Sequence, residues 1–318
     1  MPKVSAIIPV FNGERFIKDS IESILEQTFN EVEIIVIDDG STDRTKEFVQ
    51  SFGQKVIYRR QANAGADKAY NHGISLASGD YVAFLDHDDR WYPAKLEAQV
   101  KILTSHPEIG LTYSEVDCID EDGAPIKRRT WAERRRIRHD LIGDAAAILK
   151  RRFPVSVPSA MMFRRDVLQQ IGGFDFNLPR SGGHADGKLC ILAGEIAKVY
   201  FAVKPLVQYR VHQQQMTHLR RQLIHSYRIN FLDSLWNHWQ QQPEYRALLL
   251  PLYGRYWSKE ARGAYRRNDV HLAARYLKAS LNYRPFNFRT WLWLLHVKLH
   301  QLLSPMPKSV NPEDLKNR

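Results

Sequence analysis

The feature that most constrains the fold is a pair of short, β-branched apolar runs with an amphipathic segment between them. Val4 to Val10 and Val32 to Ile37 are almost continuously apolar, which is typical of parallel strands buried on both faces. Between the two runs, apolar residues recur at helical spacing; they are Phe16, Ile17, Ile21, Ile24 and Leu25. The order strand, helix, strand predicts that the chain opens as an α/β sheet.

The alternation continues to about residue 120. We expect further helices and strands in the order helix 43–52, strand 56–58, helix 66–77, strand 81–85, helix 93–104 and strand 110–116. The chain has 318 residues, of which 44% are hydrophobic and 25% are charged, so it has enough apolar material for a sizeable core and is not a disordered protein. The fold class predicted is a Rossmann-like, open, mostly parallel sheet flanked by helices.

Polar loops follow three of the predicted strands. They are Pro9–Gly13, Asp38–Asp43 and Asp86–Asp89, and in open α/β sheets such loops form the ligand site. Two of them are clusters of acids, which is electrostatically costly unless a cation or hydrogen-bond donors compensate the charges. Carboxylate ligands suit Mg or Mn. Ser41 to Asp43 could instead cap the next helix, but capping does not explain Asp38 and Asp39.

Short motifs also follow one another in a fixed order over roughly the first 115 residues. They are Ser5–Asn12, Ile37–Asp43, Asn63–Gly65 with Asn71–Gly73, Ser78–Tyr81 and Leu85–Asp89, and the series resumes at Gly172–Asp175 and Tyr209–His212. In this order they resemble the motifs of family 2 glycosyltransferases with the GT-A fold. The resemblance implies a nucleotide-diphosphate-sugar donor, a divalent Mg or Mn cofactor, and transfer of the sugar to an acceptor hydroxyl with inversion. A UDP-sugar is the donor expected from the same resemblance.

The resemblance implies which residues face the donor. The backbone near Pro9 and Phe11 and the carboxylate of Asp39 would hold the nucleoside base, and Asp88 would lie against the ribose and phosphates. The other donor-binding residues that it implies are Asn12, Asp38, Asn63, Lys68, Asn71, Asp86 and Arg210.

The resemblance also implies a metal site. Asp89 would be the main metal carboxylate, Asp88 and His212 would complete the set, and Asp86 would support the cluster. A metal held there neutralises the charge that develops on the leaving phosphate.

Inversion requires a general base on the opposite face of the sugar. Family members usually supply it from a Glu-Asp pair that begins a helix, and the matching stretch here is Gly183–Leu189. Asp186 fits as the base, although it could simply cap the helix. Ala185 replaces the Glu, Lys188 stands where an acid is common, and Tyr70 replaces an Arg that often precedes the Asn. These departures leave open a catalytically weak nucleotide-sugar-binding or scaffold protein of a glycan-assembly complex.

The formal net charge of +11 implies an anionic partner. Residues 127–152 carry ten Lys or Arg against three acids. This run is either a solvated loop or a surface for an anionic, lipid-linked or glycan acceptor or for a membrane. Nucleic acid is not expected, because no groove-reading module accompanies the run. A nicotinamide enzyme is also not expected, since Gly13 is the single glycine after the first strand.

After residue 215 the composition shifts to helix formers. We expect a catalytic domain at 1–215, a helical extension at 216–304 and a flexible tail at 305–318. The extension should contain helices at 220–240, 244–268, 270–281 and 287–303, two of which form a tetratricopeptide-like hairpin.

The last predicted helix is amphipathic. Its apolar side carries Phe288, Trp291, Leu292, Leu295, Leu299 and Leu302. Such a stripe is commonly buried against the domain, and the alternative is an interfacial helix on a membrane.

Two distant cysteines, Cys118 and Cys190, give no disulfide framework, and no stretch of about 18 apolar residues could span a bilayer. We therefore expect a cytoplasmic protein, in peripheral contact with the inner face of a membrane through its basic and amphipathic C-terminal segments.

Overall fold

The structure is a computed structural model that describes residues 3–128, 130–150, 157–175, 184–215 and 224–303. The chain forms two compact units, Met1–Phe231 and Leu232–Arg318. The first unit extends past the predicted boundary at residue 215, because a helix that begins at Ile224 starts within it. The predicted tail at 305–318 lies outside the described residues.

The first part of the N-terminal unit alternates between strands and helices. Its elements are β1 (Val4–Val10), α1 (Ile17–Leu25), β2 (Val32–Asp38), α2 (Thr45–Gln50), β3 (Val56–Arg60), α3 (Ala66–Leu76) and β4 (Tyr81–Phe84). The second part continues with β5 (Arg90–Trp91), α4 (Lys95–Ser105), β6 (Ile109–Ile119), β7 (Pro125–Ile126), α5 (Trp131–Arg135), β8 (Leu141–Gly143), α6 (Ala145–Leu149), β9 (Met162–Arg164), α7 (Arg165–Ile171), α8 (His184–Ile196) and β10 (Lys198–Arg210).

These strands form one mixed sheet in the order β3-β2-β1-β4-β9-β6-β10-β5, with β7 beside β6 and β8 beside β10. The strands from β3 to β4 are parallel, and β9 joins β4 to β6 by antiparallel pairing. All seven residues of β1 are buried, as its apolar run predicts. The predicted open α/β sheet flanked by helices is confirmed. Antiparallel strands contribute more to it than the sequence indicates.

Close packing of α3 on β1 positions one wall of the carboxyl edge. A Cβ atom at Gly73 would lie 2.3 Å from Cγ2 of Ile7, so only glycine allows the helix to approach the strand this closely. Tyr70, one turn earlier on α3, is buried. It stacks on Phe174 with ring centroids 4.7 Å apart. The side chains of α3 that follow the predicted Asn-Ala-Gly motif therefore face the ends of the central strands.

The helical C-terminal region is also confirmed. Its helices are α9 (Ile224–His238), which crosses the boundary between the units, α10 (Pro243–Arg266), α11 (Val270–Tyr283) and α12 (Phe288–Leu303). Helices α10, α11 and α12 share a core of small and branched residues, namely Ala261, Ala264, Val270, Ala273, Ala274, Leu277, Leu281, Leu294 and Val297. In the described part of the chain, no helix has both the length and the hydrophobicity to cross a bilayer.

Candidate active site

The loops after β1 and β2 are joined by hydrogen bonds at the carboxyl edge of the sheet. The Asp39 N–H donates to the carbonyl of Val10 at 2.8 Å. Asn12 sits in the left-handed region at φ 50°, and its side-chain oxygen accepts from the Thr42 N–H at 2.8 Å. Its own N–H donates to the Ser41 hydroxyl at 3.0 Å. The motif that contains Asn12 thus fixes the loop that follows Asp38 and Asp39.

Asp38 is fully buried and turned toward the protein. One of its carboxylate oxygens accepts from the Ser41 N–H at 2.7 Å and the other from the Tyr58 hydroxyl at 2.5 Å.

Asp39 is also buried, and three donors surround its carboxylate. The Gln61 amide and the Ala64 N–H donate to one oxygen, both at 2.8 Å, and the Gly65 N–H donates to the other at 2.7 Å. Asp38 and Asp39 therefore organise the loops before α2 and α3.

The loop after β4 carries the second acid cluster. Asp88 Oδ2 lies 2.9 Å from Nε2 of His212. His212 is the second residue after the end of β10. Asp86 Oδ1 accepts from the Tyr70 hydroxyl at 2.8 Å. The structure thus brings together the three predicted residues Asp86, Asp88 and His212, with Tyr70 in the position where family members often have an arginine.

Asp89 points in a different direction from Asp88. It is fully buried, one carboxylate oxygen accepts from the Ser159 hydroxyl at 2.5 Å, and the other accepts from the Arg210 N–H at 2.9 Å. Ser159 also accepts from the Asp86 N–H at 3.0 Å. Asp89 and Ser159 therefore hold the loop in shape, and the carboxylate available beside His212 is that of Asp88.

The acids of this loop perturb one another. Burial, followed by the charge of Asp88, raises the pKa of Asp86 to about 7. Burial and the charges of Asp88 and Asp86 raise the pKa of Asp89 well above its usual range. Burial would also raise the pKa of Asp88, but the hydrogen bond from His212 and the charge of His87 lower it. Such a set of acids is relieved by added positive charge.

Arg210 stabilises the loop after β4. It is almost completely buried, and its guanidinium lies over the ring of Phe16, 4.7 Å from the centroid. It donates to the carbonyl of Asp88 at 2.8 Å, to the carbonyl of Glu121 at 2.9 Å and to the carboxylate of Asp19 at 2.9 Å. Arg210 is predicted to bind the sugar donor, but several of its guanidinium N–H groups are hydrogen-bonded to the protein.

Asn71 joins α3 to the segment that precedes α8. Its amide donates to the carbonyl of Phe174 at 2.8 Å and accepts from the Phe174 N–H at 2.8 Å. Gly173 has φ 73°, and a Cβ there would lie 2.5 Å from Oδ1 of Asn71, so the close approach requires glycine. This pairing fixes Phe174 beside α3.

Asp186 lies in the first turn of α8 and is half-buried. Burial, followed by the charge of Asp67, raises its pKa to about 6. Its charge in turn contributes to the raised pKa of Asp86, so the two acids belong to one electrostatic site. Lys188, which replaces a common acid, pairs with Asp175 at 2.5 Å. That pairing satisfies one charge of the motif without involving Asp186.

The remaining predicted donor-binding residues lie in or after β1, after β3 and at the start of α3. Pro9 lies in the buried strand β1, which ends at Val10, and Phe11 follows the strand with 45% of its surface exposed. Asn63 and Lys68 are exposed, the first in the loop after β3 and the second in the first turn of α3.

Sequence reasoning missed the contributions of Ser159 and Asp67. Neither belongs to a motif, and no local pattern marks them.

The side chains at this edge of the sheet fit a divalent ion whose remaining ligands come from a phosphate group. No group of three His, Cys, Asp or Glu side chains in the described ranges is arranged to hold a metal alone. Mg²⁺ is commonly bound through one or two carboxylates and substrate phosphates. Asp88 and His212, beside two acids whose pKa is raised, provide that partial set.

Similarity to known proteins identifies the family to which the chain belongs. The model of glycosyl transferase family 2 matches residues 5–172, about half of the chain. The chain belongs to this family.

Two relatives illustrate the match. An uncharacterized glycosyltransferase of Rickettsia typhi is 31% identical over 248 residues, which cover 74% of this chain and 71% of that protein. A putative teichuronic acid biosynthesis glycosyltransferase of Bacillus subtilis is 34% identical over 132 residues, 40% of this chain and 52% of that protein.

Solved structures show the same fold at low identity. TarS from S. aureus, in complex with UDP-GlcNAc, matches with a TM-score of 0.65 and 16% identity over 87% of this chain and 81% of that chain. A mannosyltransferase from Pyrobaculum calidifontis, in complex with GDP-Man and Mn²⁺, matches with a TM-score of 0.57 and 17% identity, covering 95% of this chain and 81% of that chain. The chain is therefore a glycosyltransferase with a GT-A fold.

Proposed function

We propose that the chain is an inverting, metal-dependent glycosyltransferase that moves a hexosyl or hexosaminyl group from a UDP-sugar to an acceptor hydroxyl. The observation that carries the proposal is the meeting of Asp86, Asp88 and His212 at the end of the sheet, with Asp186 in the same electrostatic site. Solved proteins of the same fold are in complex with UDP-GlcNAc or with GDP-Man and Mn²⁺.

Asp88 and His212 are the residues that would hold the metal, with Asp86 beside them. A bound Mg or Mn ion supplies positive charge that offsets the charge on the leaving diphosphate. This assignment differs from the sequence prediction for Asp89, because both oxygens of Asp89 are already bonded to Ser159 and the Arg210 N–H.

Asp186 acts as the general base in this proposal. Its carboxylate accepts the proton of the acceptor hydroxyl while that oxygen bonds to the anomeric carbon and the carbon–phosphate-oxygen bond breaks on the opposite face. A pKa of about 6 leaves the carboxylate mostly ionised at neutral pH and a stronger base than an ordinary aspartate. Asp67 is a positioning residue here, because its charge raises the pKa of Asp186.

The acceptor in this proposal is an anionic glycan or lipid-linked sugar of cell-surface polysaccharide synthesis, reached at the inner face of the membrane. An open surface cleft of about 600 Å³ is lined mainly by residues of the basic run. Four of the residues that line it are Lys127, Arg128, Arg136 and Arg138, against two acids, Asp117 and Glu133. Excess positive charge in a cleft favours an anionic ligand.

The direct test is donor turnover. The purified chain is incubated with UDP-, GDP- and dTDP-sugars, with Mn²⁺ or with excess chelator, and release of the nucleoside diphosphate is measured. We expect Mn²⁺-dependent release from a UDP-sugar. Release that chelator does not change would refute the metal mechanism.

A second candidate function is a nucleotide-sugar-binding scaffold. It is favoured by Ala185, which leaves Asp186 without the usual neighbouring Glu, and by Tyr70, which gives Asp86 a neutral partner. Donor binding by the wild-type chain without transfer to any acceptor, matched by Asp186→Asn, would support the scaffold.

A further inference from the structure

The last helix of the C-terminal unit exposes a row of large apolar side chains. Phe286 and Phe288 are 98% and 71% exposed, and the residues that continue the row on α12 are between 51% and 57% exposed. We call this row the α12 stripe; it consists of Phe286, Phe288, Trp291, Leu292, Leu295 and Leu299. Scattered apolar residues are normal on a surface, but a contiguous row marks an interaction site.

The opposite face of α12 holds the helix in place. Leu294 and Val297 are buried in the core shared with α10 and α11, and Thr290 is buried beside them. The common expectation for such a stripe, burial against the domain, is therefore wrong for this helix. Leu302, also predicted on this side, has a side chain outside the described residues. Substitutions in the stripe should leave the core unchanged.

The indole N–H of the tryptophan in the stripe is hydrogen-bonded within the chain. The indole N–H of Trp291 donates to the carbonyl of Pro285 at 2.7 Å. An unpaired N–H would be costly to remove from water. Because this one already has a partner within the chain, the ring of Trp291 can leave water without losing a hydrogen bond.

The charges around the stripe select the partner. Residues 270–303 contain no Asp or Glu, and Arg289 and Lys298 are exposed on α12 itself. The other basic residues of this segment are Arg275, Lys278 and Arg284. Trp, Phe and Leu on one face with basic residues beside them are typical of a helix that lies in the interface of an anionic bilayer. A symmetric contact with a second copy of the chain would instead bring these positive charges together.

We propose that the α12 stripe docks the chain onto an anionic lipid surface, with α12 lying in the plane of the interface. The apolar side chains enter the boundary between headgroups and acyl chains, and Arg289 and Lys298 remain at the level of the anionic headgroups. This inference specifies the membrane contact of the proposed function, but it involves neither the donor, the metal nor Asp186. Lipid binding and turnover can therefore fail separately.

The test is co-sedimentation of the purified full-length chain with phosphatidylcholine vesicles, with or without about 30% phosphatidylglycerol. We expect binding to the anionic vesicles only. Trp291→Glu with Leu295→Glu should weaken it by at least about tenfold, because both apolar area and charge complementarity are lost. The matched control is Gln241→Glu with Ala247→Glu, which adds the same charge at two exposed positions of the same unit and should bind nearly as well as the wild type.

Other results would overturn the proposal. Equal sedimentation of the wild type and the stripe variant, equal loss in the control variant, or no binding of the wild type would each do so. Light scattering separates a further alternative: a wild-type oligomer that the stripe variant converts to a monomer, without lipid binding, would assign the stripe to a second copy. Leu295→Ser with Leu299→Ser repeats the test if the Glu variant does not fold, as judged by circular dichroism.

Discussion

The loop after β2 and the loop after β4 place adjacent acids at the same edge of the same sheet, but they use them differently. Asp38 and Asp39 are surrounded by donors of the chain, from the Ser41, Ala64 and Gly65 N–H groups to the Tyr58 hydroxyl. In the loop after β4, by contrast, burial and mutual repulsion raise the pKa of two acids. The carboxylates of the first loop are compensated by hydrogen bonds, whereas the acids of the second loop would be stabilised by added positive charge.

The contrast separates two roles that the sequence presents alike. Carboxylates that the protein already satisfies stabilise the loops around them. Carboxylates that lack enough compensation are costly without a ligand, and such perturbed groups concentrate at functional sites. The same substitution, Asp to Asn, should therefore act on activity in one loop and on stability in the other.

The largest effect is expected for Asp88→Asn. We expect sugar transfer to fall by about a thousandfold or more. The variant removes the carboxylate that would hold the metal, and the positive charge of the metal would stabilise the leaving diphosphate. The melting temperature should fall less than in Asp39→Asn, since the lost attraction to His212 is offset by the relief of the repulsion that raises the pKa of Asp86 and Asp89. Initial rates and thermal denaturation of the same preparation give both numbers. A variant that transfers at the wild-type rate would contradict the assignment of Asp88.

Asp186→Asn should reduce kcat by about a hundredfold to ten-thousandfold, the usual contribution of a general base, with little change in nucleotide binding. In the wild type, kcat should fall as the pH drops through about 6, because protonation of Asp186 removes the base. Asp67→Asn should move this acid limb to lower pH, since the charge of Asp67 raises the pKa of Asp186. A pH profile that Asp67→Asn leaves unchanged would show that burial alone raises the pKa of Asp186. A wild-type kcat that does not fall in acid would contradict the assignment of Asp186 as the base.

Asp39→Asn should act on stability. The carboxylate accepts three hydrogen bonds, and an amide presents one oxygen, so the free energy of unfolding should fall by about 1–3 kcal/mol. Urea denaturation measures the loss. Asp88→Asn is the matched control, with the same chemical change in the other loop. An equal loss of stability in both variants would remove the distinction between the loops.

The smallest effect is expected for Glu33→Gln at the opposite edge of the sheet. Burial would raise the pKa of Glu33, but hydrogen bonds from Lys3, Ser5 and Ser78 lower it to about 2. The ionised carboxylate therefore stabilises the fold above its ordinary pKa of 4.5, and this contribution is lost as the pH falls toward 2. At pH 7 the variant should lose about 1–2 kcal/mol of unfolding free energy. The difference from wild type should shrink in acid, and a difference independent of pH would contradict this account.

The sequence was sufficient for the elements with strong local patterns. Strand β1 has the predicted bounds, and β2 differs by one residue, because a short apolar run rich in β-branched residues is typical of a buried parallel strand. The strands β5, β7, β8, β9 and β10 are not among the predicted elements. The first four have two or three residues each, which is too short for a local pattern. Strand β10 pairs with β5, β6 and β8, and no local pattern encodes that pairing between segments far apart in the chain.

The site was predictable as a cluster but not in the direction of each carboxylate. The motifs correctly place acids after β2 and β4, where the strands end. Whether Asp89 faces the ligand or the core depends on the Ser159 hydroxyl, 70 positions away, and on the backbone of Arg210. Similarly, the stripe on α12 was evident from its spacing, but its exposure follows from which face packs on α11.

In the proposed function, the loop after β4 holds a metal together with a nucleoside diphosphate. Calorimetric titration of UDP into the wild type, Asp88→Asn and Asp186→Asn, each with Mn²⁺ and with excess chelator, tests it directly. We predict that Mn²⁺ tightens UDP binding by at least about tenfold in the wild type and in Asp186→Asn but not in Asp88→Asn. The claim would be contradicted if UDP binds the wild type equally well with Mn²⁺ and with chelator.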